Sequence, residues 1–140
     1  MKTIKQVCEE SIVPAKLVRA VIKQLGGGKE AIETLGDVYR HGADGGFCGF
    51  TYYTDTVKFY RRNRSDIVAM AEEMSGDLGM DVIDMIRHFG CFRGRDGFQY
   101  TTSFETSCIA RALYGNVDDP EVPNALAWFA LEEVARAFYD

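Results

Sequence analysis

Apolar residues recur along most of this chain at spacings of three and four, the period of helices that each bury one face. Ile4, Val7, Cys8 and Ile12 predict a first helix over 3–11. Pro14 predicts the opening of a second, where a missing N–H costs nothing, with Leu17, Val18, Val21, Ile22 and Leu25 as its buried face and Gly26 as a left-handed cap. The triplet Gly26-Gly27-Gly28 predicts a tight hinge. No strand precedes it and the GxxxxGK[ST] pattern is absent, which argues against a phosphate-binding loop. A third helix over about 29–41 is expected to turn Ile32, Leu35, Val38 and Tyr39 inward and to stop at Gly42.

The period then breaks. Residues 40–64, RHGADGGFCGFTYYTDTVKFYRRNR, gather four of the fourteen glycines and six aromatic rings. Gly42, Gly45, Gly46 and Gly49 let the backbone turn tightly there, and Phe47 or Phe50 is expected to plug the core. Thr54 or Asp55 can cap a long helix from Thr56 to about Leu78, with Ile67, Ala71, Met74 and Leu78 as its apolar stripe and a restart or kink near Asn63. Asp81 and Asp84 predict a capped short helix over 81–89. Residues 90–101 carry three glycines and no period, as in an exposed loop or short hairpin. Thr102 with Glu105 marks a further helix ending at Gly115. The last helix, ALAWFALEEVARAFYD, is apolar on so much of its circumference that it should be the central post of a bundle; Asp119-Pro120 is its start signal, with a start pushed a few residues later by Pro123 as the alternative. The pattern predicts an all-α fold: one compact domain over 1–140, six to seven helices around a glycine- and aromatic-rich central loop. Strand candidates are confined to 51–54 and 96–101.

Composition narrows the class more than the function. At 140 residues, 46% hydrophobic and 26% charged, the chain is long enough and apolar enough for one packed core. A net charge of −5 argues against a general nucleic-acid binder and suits docking on a basic surface. Neither an apolar run of membrane-spanning length nor a signal-peptide h-region occurs, so a cytoplasmic location without membrane attachment is expected. Cys8, Cys48, Cys91 and Cys108 lie far apart with no CxxC pair, which argues for free, mostly buried thiols and against a metal site or a disulfide framework. No cofactor is implied.

Candidate chemistry is sparse. His41, Asp44 and Cys48 could form a thiol nucleophile, its base and an orienting group; the plainer alternative has Cys48 filling an apolar gap and His41 facing the dipole at a helix C-terminus. The acidic residues Glu72, Glu73, Asp77, Asp81 and Asp84 read as solvent-facing or capping. Lys58, Arg61, Arg62 and Arg64 form the one basic cluster, beside the rings of Tyr52, Tyr53, Phe59 and Tyr60. Such a set can contact phosphates and stack bases, can pair with nearby carboxylates, or can serve as a protein-interface hot spot. The acidic remainder of the chain favours the interface over nucleic acid.

The stretches HGADGGFCGFTYYTDTVKFYRRNR and NALAWFALEEVARAF resemble a family of small phage- and prophage-encoded proteins catalogued as a domain of unknown function, over roughly residues 15–139. That resemblance implies no activity and no catalytic set. It implies a context in which small accessory proteins bind and block host defences, as anti-CRISPR and anti-restriction inhibitors do. The expectation is a non-enzymatic inhibitor of a bacterial defence complex in the host cytoplasm, using Tyr52, Tyr53, Asp55, Lys58, Arg61, Arg62 and Arg64, with the loop glycines setting their geometry. The terminal helix could bury its rings within one chain or across a two-fold axis as a homodimer.

Overall fold

In a computed structural model, residues 1–41, 54–88, 110–111, 113–115 and 121–140 are described. They form six helices: α1 Ile4–Glu10, α2 Ala15–Gln24, α3 Gly28–His41, α4 Asp55–Leu78, α5 Val82–His88 and α6 Glu121–Tyr139. Residues 110, 111, 113 and 114 are helical too, and no described residue lies in a strand. The expected all-α bundle is therefore what the chain adopts. The strand candidate 96–101 and most of 51–54 lie outside the described residues; Thr54 itself is in a turn.

Local chemistry explains where the helices begin and end. Thr3 and Gln6 cap α1 reciprocally: the Gln6 N–H donates to Thr3 Oγ1 at 3.1 Å and the Thr3 N–H to Gln6 Oε1 at 2.9 Å. This capping box satisfies two N–H groups that the first turn would leave bare. α2 closes with the paired bonds of a Schellman motif, Gly27 N to Ile22 O at 2.9 Å and Gly26 N to Lys23 O at 3.2 Å. Gly26, Gly27 and Gly28 all have positive φ (101°, 84° and 48°), so the triplet is the hinge between α2 and α3. The kink in α4 falls at Asn63 (φ −113°, ψ 16°), where the Asn63 side-chain amide donates to Phe59 O at 3.0 Å. That carbonyl is the i−4 acceptor of the helix ladder, and a side chain competing for it bends the axis.

Three details depart from, or decide between, the pattern-based expectations. Thr54 sits at the N-cap of α4 but its side chain makes no capping bond, because its own backbone is already helical (φ −74°, ψ −58°). α6 begins at Glu121, directly after the Asp119-Pro120 start signal, and is not pushed later by Pro123, which falls in the first turn, where N–H groups lack helical partners in any case. Leu78 is 52% exposed, since α4 runs past the edge of the core: Ile67 and Ala71 are buried and Met74 is half-buried.

α6 is the post of the bundle. All ten residues from Leu126 to Ala135 are buried, within a single chain. Among the described helices α3 and α4 cover it most extensively, and α1 and α2 also pack against it. Each fully buried Leu or Phe here contributes about 1.5–3 kcal/mol. The N-terminal segment is tied on as well, with Lys2 N donating to Phe138 O at 3.1 Å.

The contact of α3 with the end of α6 depends on one missing side chain. Tyr139 lies against α3 and its hydroxyl donates to Ile32 O at 2.8 Å. A Cβ on Gly36 would stand 2.9 Å from that hydroxyl. Tyr39, expected to face inward, is instead 44% exposed. Its ring stacks on Tyr139 with centroids 5.7 Å apart, and its hydroxyl donates to Asp140 Oδ1 at 2.8 Å. That bond, which favours the protonated phenol, is the main cause of a raised Tyr39 pKa.

A helix-interior Gly→Ala change ordinarily stabilises by about 1 kcal/mol. Gly36→Ala should lose that gain in the wild type and recover it in a Tyr139→Ala background. Urea unfolding of the four-member cycle measures the coupling; additive effects would mean the Tyr139 hydroxyl does not read position 36.

Candidate functional site

The residues expected to carry function cluster on α4, whose two faces differ sharply. Inward, Thr56, Val57, Phe59, Tyr60, Asn63 and Ile67 are buried. Outward, Lys58, Arg61 and Arg62 are exposed and Asp55 is half-buried. The spacing 58, 61, 62 keeps the three cations on one side of the helix, opposite the core. None of the three makes an ion pair among the described residues. The cluster therefore keeps its charge in solvent instead of spending it on Asp66 or the acidic residues of the following turns.

Arg64 belongs to a different setting. It is half-buried, and its Nε donates to Leu113 O at 3.1 Å, tying α4 to the helical residues at 113–114. Its positive charge also acts on the Tyr60 hydroxyl. Tyr60 is fully buried, and that burial pushes its pKa up to about 12, against the smaller lowering effect of Arg64's charge and hydrogen bond. Tyr114, 54% exposed nearby, has a raised pKa first from partial burial and then from the charges of Glu72 and Asp81.

Phe59 and Tyr60 are 2% and 0% exposed, so neither ring can stack on a base. Two of the four aromatic residues that would have made a nucleic-acid platform are core residues. Tyr52, Tyr53, Gly42, Gly45, Gly46 and Gly49 lie outside the described residues, as do Asp44 and Cys48 of the thiol alternative. His41 is exposed as the last residue of α3. Cys8 is free and half-buried. Among the described residues no group of three or more His, Cys, Asp or Glu is placed to hold a metal ion.

The first turns of α4 and α6 meet through polar groups that pattern reasoning passed over. Thr56 Oγ1 donates to Asn124 Oδ1, with both residues 0% exposed, so the two helices start side by side. Glu132 and Glu133 are 5% and 8% exposed within α6 and are engaged by neighbours. A pair of adjacent glutamates normally reads as a solvent face, and no local signal marks these as interior. A shallow groove of about 310 Å³ lies between the N-terminal segment and the end of α6, lined by Lys2, Ser11, Glu133, Arg136 and Asp140 among others. Its mixed charges offer no nucleophile–base pair.

Two consequences are measurable. Arg64→Leu removes the bond to the Leu113 carbonyl, so it should lower stability by about 1–3 kcal/mol, whereas Arg61→Ala and Arg62→Ala should each stay within about 0.5 kcal/mol in urea unfolding. Tyr60 titrates near 10 when unfolded and near 12 when folded. Its stabilisation is complete below pH 10 and is lost as pH rises towards 12, at most about 1.4 kcal/mol per pH unit. Tyr60→Phe should therefore show a flatter loss of stability over that window than wild type; parallel curves would refute the assignment.

A family model described as a domain of unknown function (DUF7222) matches residues 10–140. No curated protein and no solved structure is matched by the chain.

Proposed function

The chain belongs to the DUF7222 family, and from that footing we propose that it is a docking protein, which acts by covering a surface of another macromolecule with the outer face of α4. One observation supports this above the others. Lys58, Arg61 and Arg62 stand exposed without ion pairs among the described residues, on a helix whose opposite face is locked into the core. Arginine is enriched in interface hot spots because its planar donors match carboxylates and its stem covers apolar area. A backbone already held in place loses little further freedom on binding, so more of the contact energy appears as affinity. Tyr52 and Tyr53, which precede α4 in the sequence, belong to the same contact in this reading.

The partner in this reading is a bacterial defence complex. The protein is of phage or prophage origin, works in the host cytoplasm, and inhibits by occupation, in the manner of an anti-CRISPR or anti-restriction protein. What supports this narrower reading is the likeness of 40–64 and of the terminal stretch to small phage-encoded proteins. The burial of Phe59 and Tyr60 weighs against a nucleic-acid partner.

The test pairs binding with stability. Arg61→Glu/Arg62→Glu should abolish capture of purified restriction or CRISPR effector complexes while the melting temperature moves by no more than about 1–2 °C. Equal capture by the variant removes this face from the interface. Expression of wild type should raise phage plating on a defended host and the double variant should not; no rise on any restriction- or CRISPR-defended host overturns the counter-defence reading.

A further inference from the structure

The far end of α4 outlasts the core that buries its middle. Along its apolar stripe Ile67 and Met70 are fully buried, Met74 is half-buried and Leu78 is 52% exposed. The chain then turns at the left-handed Gly79 into α5. Met80, Val82 and Ile83 are half-buried there, before Met85 and Ile86 are fully covered. Two apolar stripes therefore come out of the core at the turn that joins the helices. The charge around this corner has one sign. From Ser65 to Ile86 the chain carries six carboxylates, no Lys, Arg or His, and four of its five methionines. Glu73, Asp77, Asp81 and Asp84, which flank the apolar residues along the chain, are exposed and make no ion pair among the described residues.

We propose that this corner is a docking site for a basic amphipathic helix of another protein. The apolar stripe of that helix covers Met74, Leu78 and Met80, and its Lys and Arg flanks meet the surrounding carboxylates. Charge selects this occupant. Nucleic acid and anionic membranes are repelled by the rim, and so is an acidic protein surface. A second copy is rejected as well, because a two-fold contact sets the same patch against itself and would put carboxylate against carboxylate. A basic segment without an apolar face would satisfy the rim and leave Leu78 in water. Methionine suits such a site, since its unbranched, polarizable side chain adapts to different incoming side chains. A helix laid with its apolar face on such a surface is a recurring mode of peptide recognition. The inference is independent of the docking reading of Lys58, Arg61 and Arg62, which lie on the order of 20 Å away along α4.

Isothermal titration of the full chain tests this, with a synthetic helix of about 16 residues as the probe, Leu placed at intervals of three and four and Lys elsewhere. One control peptide has the same composition in shuffled order, so that no face is apolar; another has Glu in place of Lys. The periodic Lys peptide should bind at least about tenfold more tightly than the shuffled one, and the Glu peptide should not bind. Leu78→Ser and the double variant E73K/D77K should each weaken binding by about tenfold or more, with circular dichroism confirming that both fold. R61E/R62E, which should lose capture of a defence complex, should bind the periodic peptide at least as well as wild type. Equal affinity for the shuffled peptide reduces the corner to bare charge and overturns the proposal. So does a periodic peptide that fails to bind up to several hundred micromolar, or one indifferent to Leu78→Ser. Sedimentation equilibrium supplies the remaining outcome: a wild-type dimer that Leu78→Ser dissociates assigns the corner to a second copy and overturns the proposal too.

Discussion

The structure depends on the enclosure of α6. A helix with ten consecutive buried residues, Leu126 to Ala135, has no solvent face to orient it, so every neighbour must present a complementary surface. α3 and α4 are the two walls that do most of this. Their own amphipathic stripes point at α6, and the positions of their outer faces follow from that. The basic side of α4 is outward because Phe59, Tyr60 and Ile67 are inward.

Enclosing a helix so completely also carries polar atoms into the core. The Thr56 hydroxyl donates to the Asn124 carbonyl oxygen where α4 and α6 begin, and Glu132 and Glu133 of α6 are buried and engaged by neighbours. Buried polar groups cost little only when paired, and pairing of this kind selects one relative placement of the helices. The Thr56–Asn124 bond holds the start of α4 beside the start of α6. Arg64 pins α4 again near the kink, through Leu113. Between those two anchors lie Lys58, Arg61 and Arg62, on backbone fixed from behind. The C-terminal end is secured separately, by Tyr139 reaching over Gly36 and by Tyr39 stacking on Tyr139.

Much of the fold was legible along the chain. The stripes of α2 and α4, the Gly26–Gly28 hinge, the kink at Asn63 and the buried character of the last helix all follow from local spacing and turn chemistry. The Thr3–Gln6 box has a local signature too, its spacing of three. Of the candidate site, the exposure of Lys58, Arg61 and Arg62 follows from the same stripe that buries Ile67. Arg64 could not be separated from them, because nothing within the helix announces that a carbonyl at Leu113 will be beside it. Tyr39 misled in the same way: its position on α3 fits an inward face, yet its partners are a ring and a carboxylate about a hundred positions later, at Tyr139 and Asp140.

The amino-acid sequence by itself determined which segments are helical, where most of them stop and which face of each is apolar, since these are set by residues within three or four positions of one another. Tertiary structure alone decided which polar side chains became internal ties, at Thr56, Asn124, Glu132 and Arg64. Those outcomes depend on groups brought together from distant parts of the chain, whose energies exist only once the helices have packed.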